Sequence, residues 1–474
     1  MSASQLSAAI RTRKVSCVET MQAYLDRIDR FNPVYNAIVS RPDPATLVAQ
    51  ARQADDELAN GRYRGWMHGM PHAVKDLANA SGLPTSHGSP LFAGTLPVED
   101  DIHVARLRKA GAIFIGKTNV PEFGTGSQSY NTVFGVTRNA YDVALTSGGS
   151  SGGAAVGMAT HMLPAADGSD MMGSLRNPAA FNNVIGFRPS FGRVPNTGDE
   201  IFYSQLATNG PMGRNVEDTI RLLVTMSGFD ARSPQSMRDA LPEYDAFTAM
   251  VPNDVRIGWL GDFDGYLATE PGVIALCEHA LRGLEVAGVR IEPVRPAFDV
   301  SRLWQCWLNL RHWSQAGRLP LLDNPASRAQ LKPEMIFEIE GSRNLAAAHI
   351  HAAALTRTQW YHALHAMLES YDFLALPSAQ VFPFAAEVHW PDTIADRSMD
   401  TYHRWMEVVI GASLAGVPTL SLPAGFDTHG RPMGIQLIGR YGCDQQVLEF
   451  GMTYERLTGH LARRPQLVAA TGAA

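Results

Sequence analysis

Residues Thr146 to Arg176 read TSGGSSGGAAVGMATHMLPAADGSDMMGSLR. The stretch opens on a Gly/Ser loop, Ser147 to Gly153, and continues into an Ala/Gly/Met-rich run from Ala154 to Met162. That run is apolar all round, which predicts a buried helix, and Pro164 ends it. A short apolar link then reaches a second turn of small residues, Asp170 to Ser174, with Leu175 and Arg176 behind it. Two such turns joined by one buried helix can bring Ser150 and Ser174 together. Their glycines permit positive φ and close backbone approach.

Working outward, periodicity predicts alternating helices and strands. Ser4 to Phe31 carries apolar residues at helical spacing (Leu6, Ile10, Val18, Met21, Leu25, Ile28), as a helix pair. Asp43 to Asn60 is a further helix. Gly69 to Asp76 reads as a buried strand with Lys75 near its end, Val104 to Ala110 as a helix and Ala112 to Gly116 as a strand. Beyond the central stretch, strands are predicted at 183–187, 255–260, 289–294, 373–377, 419–422 and 434–438. Helices are predicted at 216–226, 270–287, 304–313, 345–371, 402–415 and 443–458. Such alternation predicts an α/β sandwich. No linker divides the chain. It reads as one unit with N-terminal helices (1–66), a core (67–218) and a C-terminal part holding the pocket segments (219–474).

The chain has 474 residues, 18% of them charged, and a net charge of −6. No broad attraction to nucleic acid or to an anionic membrane follows from that balance. No apolar run approaches the roughly 20 residues of a membrane span. The basic N-terminus admits a transit peptide or an ordinary first helix; the helix is the preferred reading. Cys17, Cys277, Cys306 and Cys443 are scattered, which fits a reduced, cytoplasmic protein better than a disulfide framework. No HExxH occurs, and the His349/His351 pair lacks a third ligand nearby, so no metal and no cofactor are expected.

Three polar residues stand out: Lys75, Ser150 and Ser174. A lysine in an interior strand is costly unless paired or neutral, and burial lowers its pKa. Lys75 is therefore either a neutral base or the partner of Asp76. Ser150 lies in Gly148-Gly149-Ser150-Ser151-Gly152, a G-x-S-x-G pattern. The strand that a nucleophile elbow requires is weak at Tyr141 to Thr146. The GK[ST] ending of a phosphate loop is missing.

With Pro178-Ala179-Ala180 behind them, the two Gly/Ser turns resemble those of the amidase signature family. Gly116-Lys117-Thr118-Asn119 with Glu122-Phe123, and Gly186-Phe187-Arg188-Pro189 with Gly192-Arg193, resemble the same family's core. The resemblance extends to the N-terminal helices, Arg256-Ile257-Gly258, Leu376-Pro377-Ser378 and Leu414 to Pro418, and so covers nearly the whole chain.

The resemblance implies an α/β/α sandwich with a large mixed central sheet and a Ser-Ser-Lys triad. Ser174 is then the nucleophile, Ser150 a bridging serine on a cis peptide, and Lys75 the base. The backbone N–H groups of Met171, Met172, Gly173 and Ser174 form the oxyanion hole, and catalysis proceeds through an acyl-enzyme without a cofactor. Asp170 and Arg176 brace the turn as an ion pair.

Two departures shape the expected substrate. Met171 and Met172 precede Gly173-Ser174 where the family has glycine before Gly-Ser, which predicts an apolar wall. Met406 stands eight residues before Leu414-Ala415-Gly416, where the glutamine-using member of this family, part of a tRNA amidotransferase, carries an aspartate for the substrate amine; Arg357 matches that relative's carboxylate-binding arginine. The expectation is a stand-alone hydrolase of neutral aryl or alkyl amides, with esters and carbamates (a urethanase activity) as further substrates. A glutamine-hydrolysing subunit of a tRNA-dependent amidotransferase is the alternative. Met406, Trp304 and Trp307 are the candidate substrate-binding residues, with Trp313, Phe382 and Trp390 as further candidate pocket aromatics. A homodimer is compatible with the resemblance.

Overall fold

The computed structural model describes residues 1–198, 200–203 and 205–469. Helices α1 (Ala3–Arg11) and α2 (Cys17–Tyr35) each begin with a capping box, Ser2 with Gln5 and Ser16 with Glu19. These boxes satisfy backbone donors that a helix start would otherwise leave free. Strand β1 (Ile38–Val39) and helix α3 (Pro44–Ala59) follow, the latter capped by Asp43. β2 (Pro71–Lys75), α4 (Ile102–Lys109) and β3 (Ile113–Thr118) come next. They complete a small sheet of order β1-β3-β2, in which Lys75 pairs with Thr118.

After a short hairpin, β4 (Tyr130–Asn131) and β5 (Gly135–Val136), the central stretch forms three elements. These are α5 (Gly152–Ala159), β6 (Ala166–Asp170) and α6 (Arg176–Phe181). Every residue of α5 is buried, as its composition predicts. A Cβ on Gly153 would lie 2.3 Å from the Asn119 nitrogen and 2.6 Å from the Ala37 oxygen, so only glycine lets α5 meet the small sheet.

The chain continues through β7 (Ile185–Arg188), β8 (Thr208–Gly213), α7 (Val216–Met226), β9 (Arg256–Trp259), α8 (Val273–Glu285) and β10 (Arg290–Pro293). A helical block comes next: α9 (Arg302–Ser314), α10 (Leu319–Asp323), α11 (Pro325–Arg328), α12 (Pro333–Ser342) and α13 (Ala347–Ser370). The last part holds β11 (Phe373–Pro377), a hairpin of β12 (Thr393–Ile394) and β13 (Arg397–Ser398), α14 (Ile410–Ala415), β14 (Thr419–Phe426), β15 (Pro432–Ile438) and α15 (Asp444–Thr458).

The principal sheet has eight strands in the order β10-β9-β11-β15-β14-β7-β8-β6. It is mixed: β10, β9 and β11 pair in parallel and the remaining pairs are antiparallel. Helices cover both faces. On β14, Leu420 lies under Gly451 of α15, while Ser421 donates to the Arg176 carbonyl of α6. Adjacent residues of a strand point to opposite faces, so α15 and α6 lie on opposite sides. This is the α/β/α sandwich that the sequence predicts.

Three segments differ from the sequence reading. Residues 166–170, which read as a link running into the second turn, and 208–213, where no strand is predicted, are β6 and β8, paired antiparallel with Asp167 opposite Pro211. Residues 402–415, which read as one helix, are a 3₁₀ turn (Arg404–Val409) running into α14. Among the described residues, no helix is long and apolar enough to cross a membrane. No group of three or more His, Cys, Asp or Glu there could hold a metal.

Candidate active site

β2 carries Lys75 to the edge of the principal sheet, where it meets β6. All five residues of β2 are buried, and the lysine amine ends among hydroxyls. Its Nζ donates to Ser151 Oγ (2.7 Å), Ser150 Oγ (2.9 Å) and Ser169 Oγ (3.0 Å). Burial pushes its pKa down from 10.5 to about 7, against the opposing pull of the Asp167 and Asp170 carboxylates. Pairing with Asp76, the other reading of Lys75, does not occur: the Asp76 carboxylate accepts from the Ser86 and Gly88 backbone N–H groups.

The Gly/Ser loop presents Ser150 from the other side. The Gly149–Ser150 peptide is cis. The loop is pinned by Gly149 N–H to Asn177 Oδ1 (3.1 Å) and by Ser151 N–H to the Ser174 carbonyl (3.2 Å). This last bond ties the two serine turns together. Ser150, Ser174, Met171 and Met172 line one cavity of about 120 Å³; Lys75 reaches it from behind, through Ser150. A larger cavity of about 860 Å³, between α1, α2 and residues 464–467, contains none of these residues.

The second turn is held by Asp170. Arg176 grips its carboxylate with Nε (3.0 Å) and Nη2 (2.9 Å), Arg188 adds a longer contact (3.3 Å), and all three side chains are fully buried. Burial pushes the Asp170 carboxyl up, but the two guanidiniums outweigh it and hold it well below the usual range. Asp170 also accepts from the N–H groups of Gly173 (2.9 Å) and Leu175 (3.1 Å). The Gly173 N–H thus already has a partner within the turn. The N–H groups of Met171, Met172 and Ser174 form no such bond among the described residues.

The predicted substrate residues fare differently. Trp304, Trp307 and Met406 do not line the cavity. Trp307 is fully buried, and Trp304 packs its ring 4.9 Å from His403. Met406 is fully buried behind the turn, its Cε 3.1 Å from where a Cβ on Gly173 would stand. All three sit behind the lining, to which His403, just ahead of the 3₁₀ turn, contributes instead. Arg357 spends its guanidinium on the carbonyls of Leu414 and Gln205, away from the cavity. The wall consists instead of apolar Leu77, Phe123 and Ala207 beside polar Arg311, Gln315 and His403.

Sequence reading also misses Asp167, Ser151 and Ser169 around the lysine. Asp167 accepts from His72 Nε2 (2.9 Å) and from the Lys75 backbone N–H. A signal is present: Asp167 and Ser169 alternate with Gly168 and Asp170 at the strand period of two.

A buried amine of lowered pKa on a serine hydroxyl, a second serine beside it and free N–H groups on its turn can carry acyl transfer onto a serine. That chemistry is the chemistry of serine-dependent acyl-transfer hydrolases. The amidase family model matches residues 19–448, and the chain belongs to the amidase family, hydrolases of carbon–nitrogen amide bonds. The chain is 31% identical over 487 aligned positions to a glutamyl-tRNA(Gln) amidotransferase subunit from Methylococcus capsulatus, covering 98% of both chains. Among solved structures it is similar to a bacterial aryl acylamidase of the amidase signature enzymes, with a TM-score of 0.90 and 25% identity over 98% of this chain and 99% of that one. It is also similar to the peptide amidase of Stenotrophomonas maltophilia, with a TM-score of 0.80 and 26% identity over 98% of each chain.

Proposed function

We propose that this amidase is a stand-alone hydrolase of neutral aryl or alkyl amides working through Lys75, Ser150 and Ser174, with esters and carbamates as further substrates. The observation that carries the reading is the fully buried Lys75 amine, 2.9 Å from Ser150 Oγ and with its pKa lowered to about 7. At neutral pH a large fraction of it is unprotonated and able to accept a proton.

In this mechanism Ser174 Oγ attacks the amide carbonyl carbon. Its proton passes to Ser150, whose own proton passes to Lys75. The oxyanion rests on the N–H groups of Met171, Met172 and Ser174; a single such donor is typically worth about 2.7–4 kcal/mol. The tetrahedral intermediate collapses and the C–N bond breaks. The amine leaves with the proton returned from Lys75 through Ser150. Water, deprotonated by the same relay, then attacks the acyl-enzyme and frees Ser174.

Ser174→Ala is expected to abolish hydrolysis of a chromogenic anilide while leaving the fold intact, and retained turnover would sink the assignment. The second reading, a glutaminase subunit of a tRNA-dependent amidotransferase, has the full-length similarity to such subunits in its favour. Met406 and Arg357 weigh against it, since neither offers a charge to the cavity. Glutamine and anilides given to the purified chain alone separate the two: the stand-alone reading requires anilide turnover without any partner.

A further inference from the structure

The cavity that holds Ser150 and Ser174 has a polar corner that the mechanism leaves unused. His403 lines it and is 2% exposed, yet neither ring nitrogen has a hydrogen-bond partner among the described residues. The nearest carboxylate oxygen, on Glu338, stands 3.9 Å from Nε2, too far for a hydrogen bond. The ring is held by Tyr402 (centroids 4.4 Å apart), Trp304 (4.9 Å) and Phe337 (6.1 Å). It therefore cannot swing out to water to satisfy itself.

Arg311 stands beside it on the same wall. Its Nε pairs with Glu338 and its Nη2 donates to Tyr402 Oη (2.8 Å), but Nη1 faces only the thioether of Met171 (3.4 Å). A thioether is a weak acceptor. The corner thus offers one guanidinium N–H and one imidazole, next to the turn that carries Ser174. Its formal charge is nil, because Glu338 balances Arg311. Burial, reinforced by Arg311, His312 and Arg404, keeps His403 neutral.

We propose that His403 and Arg311 Nη1 form a specificity subsite for a neutral oxygen, such as a ketone, hydroxyl or second amide carbonyl, on the substrate arm that runs past Met171. The proposal rests on the hydrolase reading above and refines it: the substrate is apolar along Leu77 and Phe123 but polar at one point. A carboxylate is disfavoured there, since it would add an unbalanced charge beside Glu338. A plain alkyl arm would leave the corner's donors unpaired, which is the condition under which buried sites discriminate most.

The test uses Ser174→Ala protein, so that binding is read without turnover. Calorimetry compares pentanoyl with 4-oxopentanoyl p-nitroanilide, and N-pentylacetamide with N-(4-oxopentyl)acetamide. The ketone is expected to bind about tenfold tighter in at least one pair. Adding His403→Phe is expected to remove that preference, and His403→Gln to restore part of it; the glutamine variant also guards against misfolding of the phenylalanine one. In the wild-type enzyme the preference is expected in KM rather than kcat. Equal binding within both pairs, or a preference that survives His403→Phe, overturns the subsite. Loss of anilide turnover by the wild-type chain would instead overturn the hydrolase reading, and the binding result would still decide the subsite.

Discussion

The backbone N–H of Lys75 donates to Asp167 Oδ2 at 3.2 Å, while the side-chain amine of the same residue turns away to three serine hydroxyls. Asp167 thus fixes where the lysine starts without forming an ion pair with its charge. The carboxylate still acts through its field, pulling the lysine pKa upward against burial. Burial wins, and the result is an amine that titrates near neutrality.

Activity should therefore follow Lys75. With a pKa of about 7, kcat/KM for an anilide is expected to rise about tenfold per pH unit below that value and to level above it. Lys75→Met should lower kcat by about 10²–10⁴-fold. Stability carries the same signature. The folded pKa lies below the unfolded value of about 10.4, so the unfolded chain binds more protons between the two. Stability is then expected to rise with pH across that window and to be flat below it, with the slope reduced in Lys75→Met. Thermal unfolding between pH 6 and 11 measures this.

Asp167→Asn separates field from scaffold. Removing the negative charge should move the acid limb of the pH–rate profile below pH 7, because the pull that raises the lysine pKa is gone. The same change weakens the buried bonds to His72 and to the Lys75 N–H, for which about 1–3 kcal/mol of stability is expected to be lost. A limb that stays in place would mean that Asp167 acts only as scaffold.

The parts of the molecule that follow local rules were legible in its sequence. The helix pair over Ser4 to Phe31, the helix that begins at Asp43 and the buried strand at Lys75 all stand where the apolar period puts them. β6 and β8 were not legible, because ADGSD and TNGPMG spend their positions on Asp, Ser, Gly and Pro, residues that strands ordinarily avoid. Their polarity makes sense only against what β6 meets: Lys75, His72 and Arg176 all bond to its side chains. The polar corner was hidden for a different reason. Arg311, Glu338 and His403 come from α9, α12 and the start of the 3₁₀ turn, and no spacing in the chain marks their meeting.

Asp170 and Arg176 are expected to matter to folding before catalysis. Asp170→Asn leaves Arg176 and Arg188 buried with their charge uncompensated. Breaking such a pair from one side costs about 3–5 kcal/mol. In the wild type, with the carboxyl held below its usual range, this contribution is fully present above the unfolded value of about 3.9. It is lost as pH falls through the lower folded value. Chemical denaturation at pH 7 should show the mutational cost, and an acid titration of the wild type should show no loss from this group above about pH 4.

Gly173 gives the sharpest separation of geometry from chemistry. It sits at φ +74°, and a Cβ there would stand 3.0 Å from both Val409 methyls and 3.1 Å from Met406 Cε. Gly173→Ala therefore meets a left-handed backbone penalty of about 1–2 kcal/mol together with a steric push from Val409 and Met406. The push falls on the turn that presents the Met172 and Ser174 N–H groups, so kcat is expected to drop by about 10²-fold or more with KM less affected. Met406 has a flexible end and can yield, whereas the β-branched Val409 cannot. Adding Met406→Ala should accordingly recover little of the lost kcat, and adding Val409→Ala should recover more. Recovery from neither would assign the loss to backbone strain alone, equal recovery from both would make Met406 as unyielding as Val409, and full activity in Gly173→Ala would show that the turn's geometry is not what sets the rate.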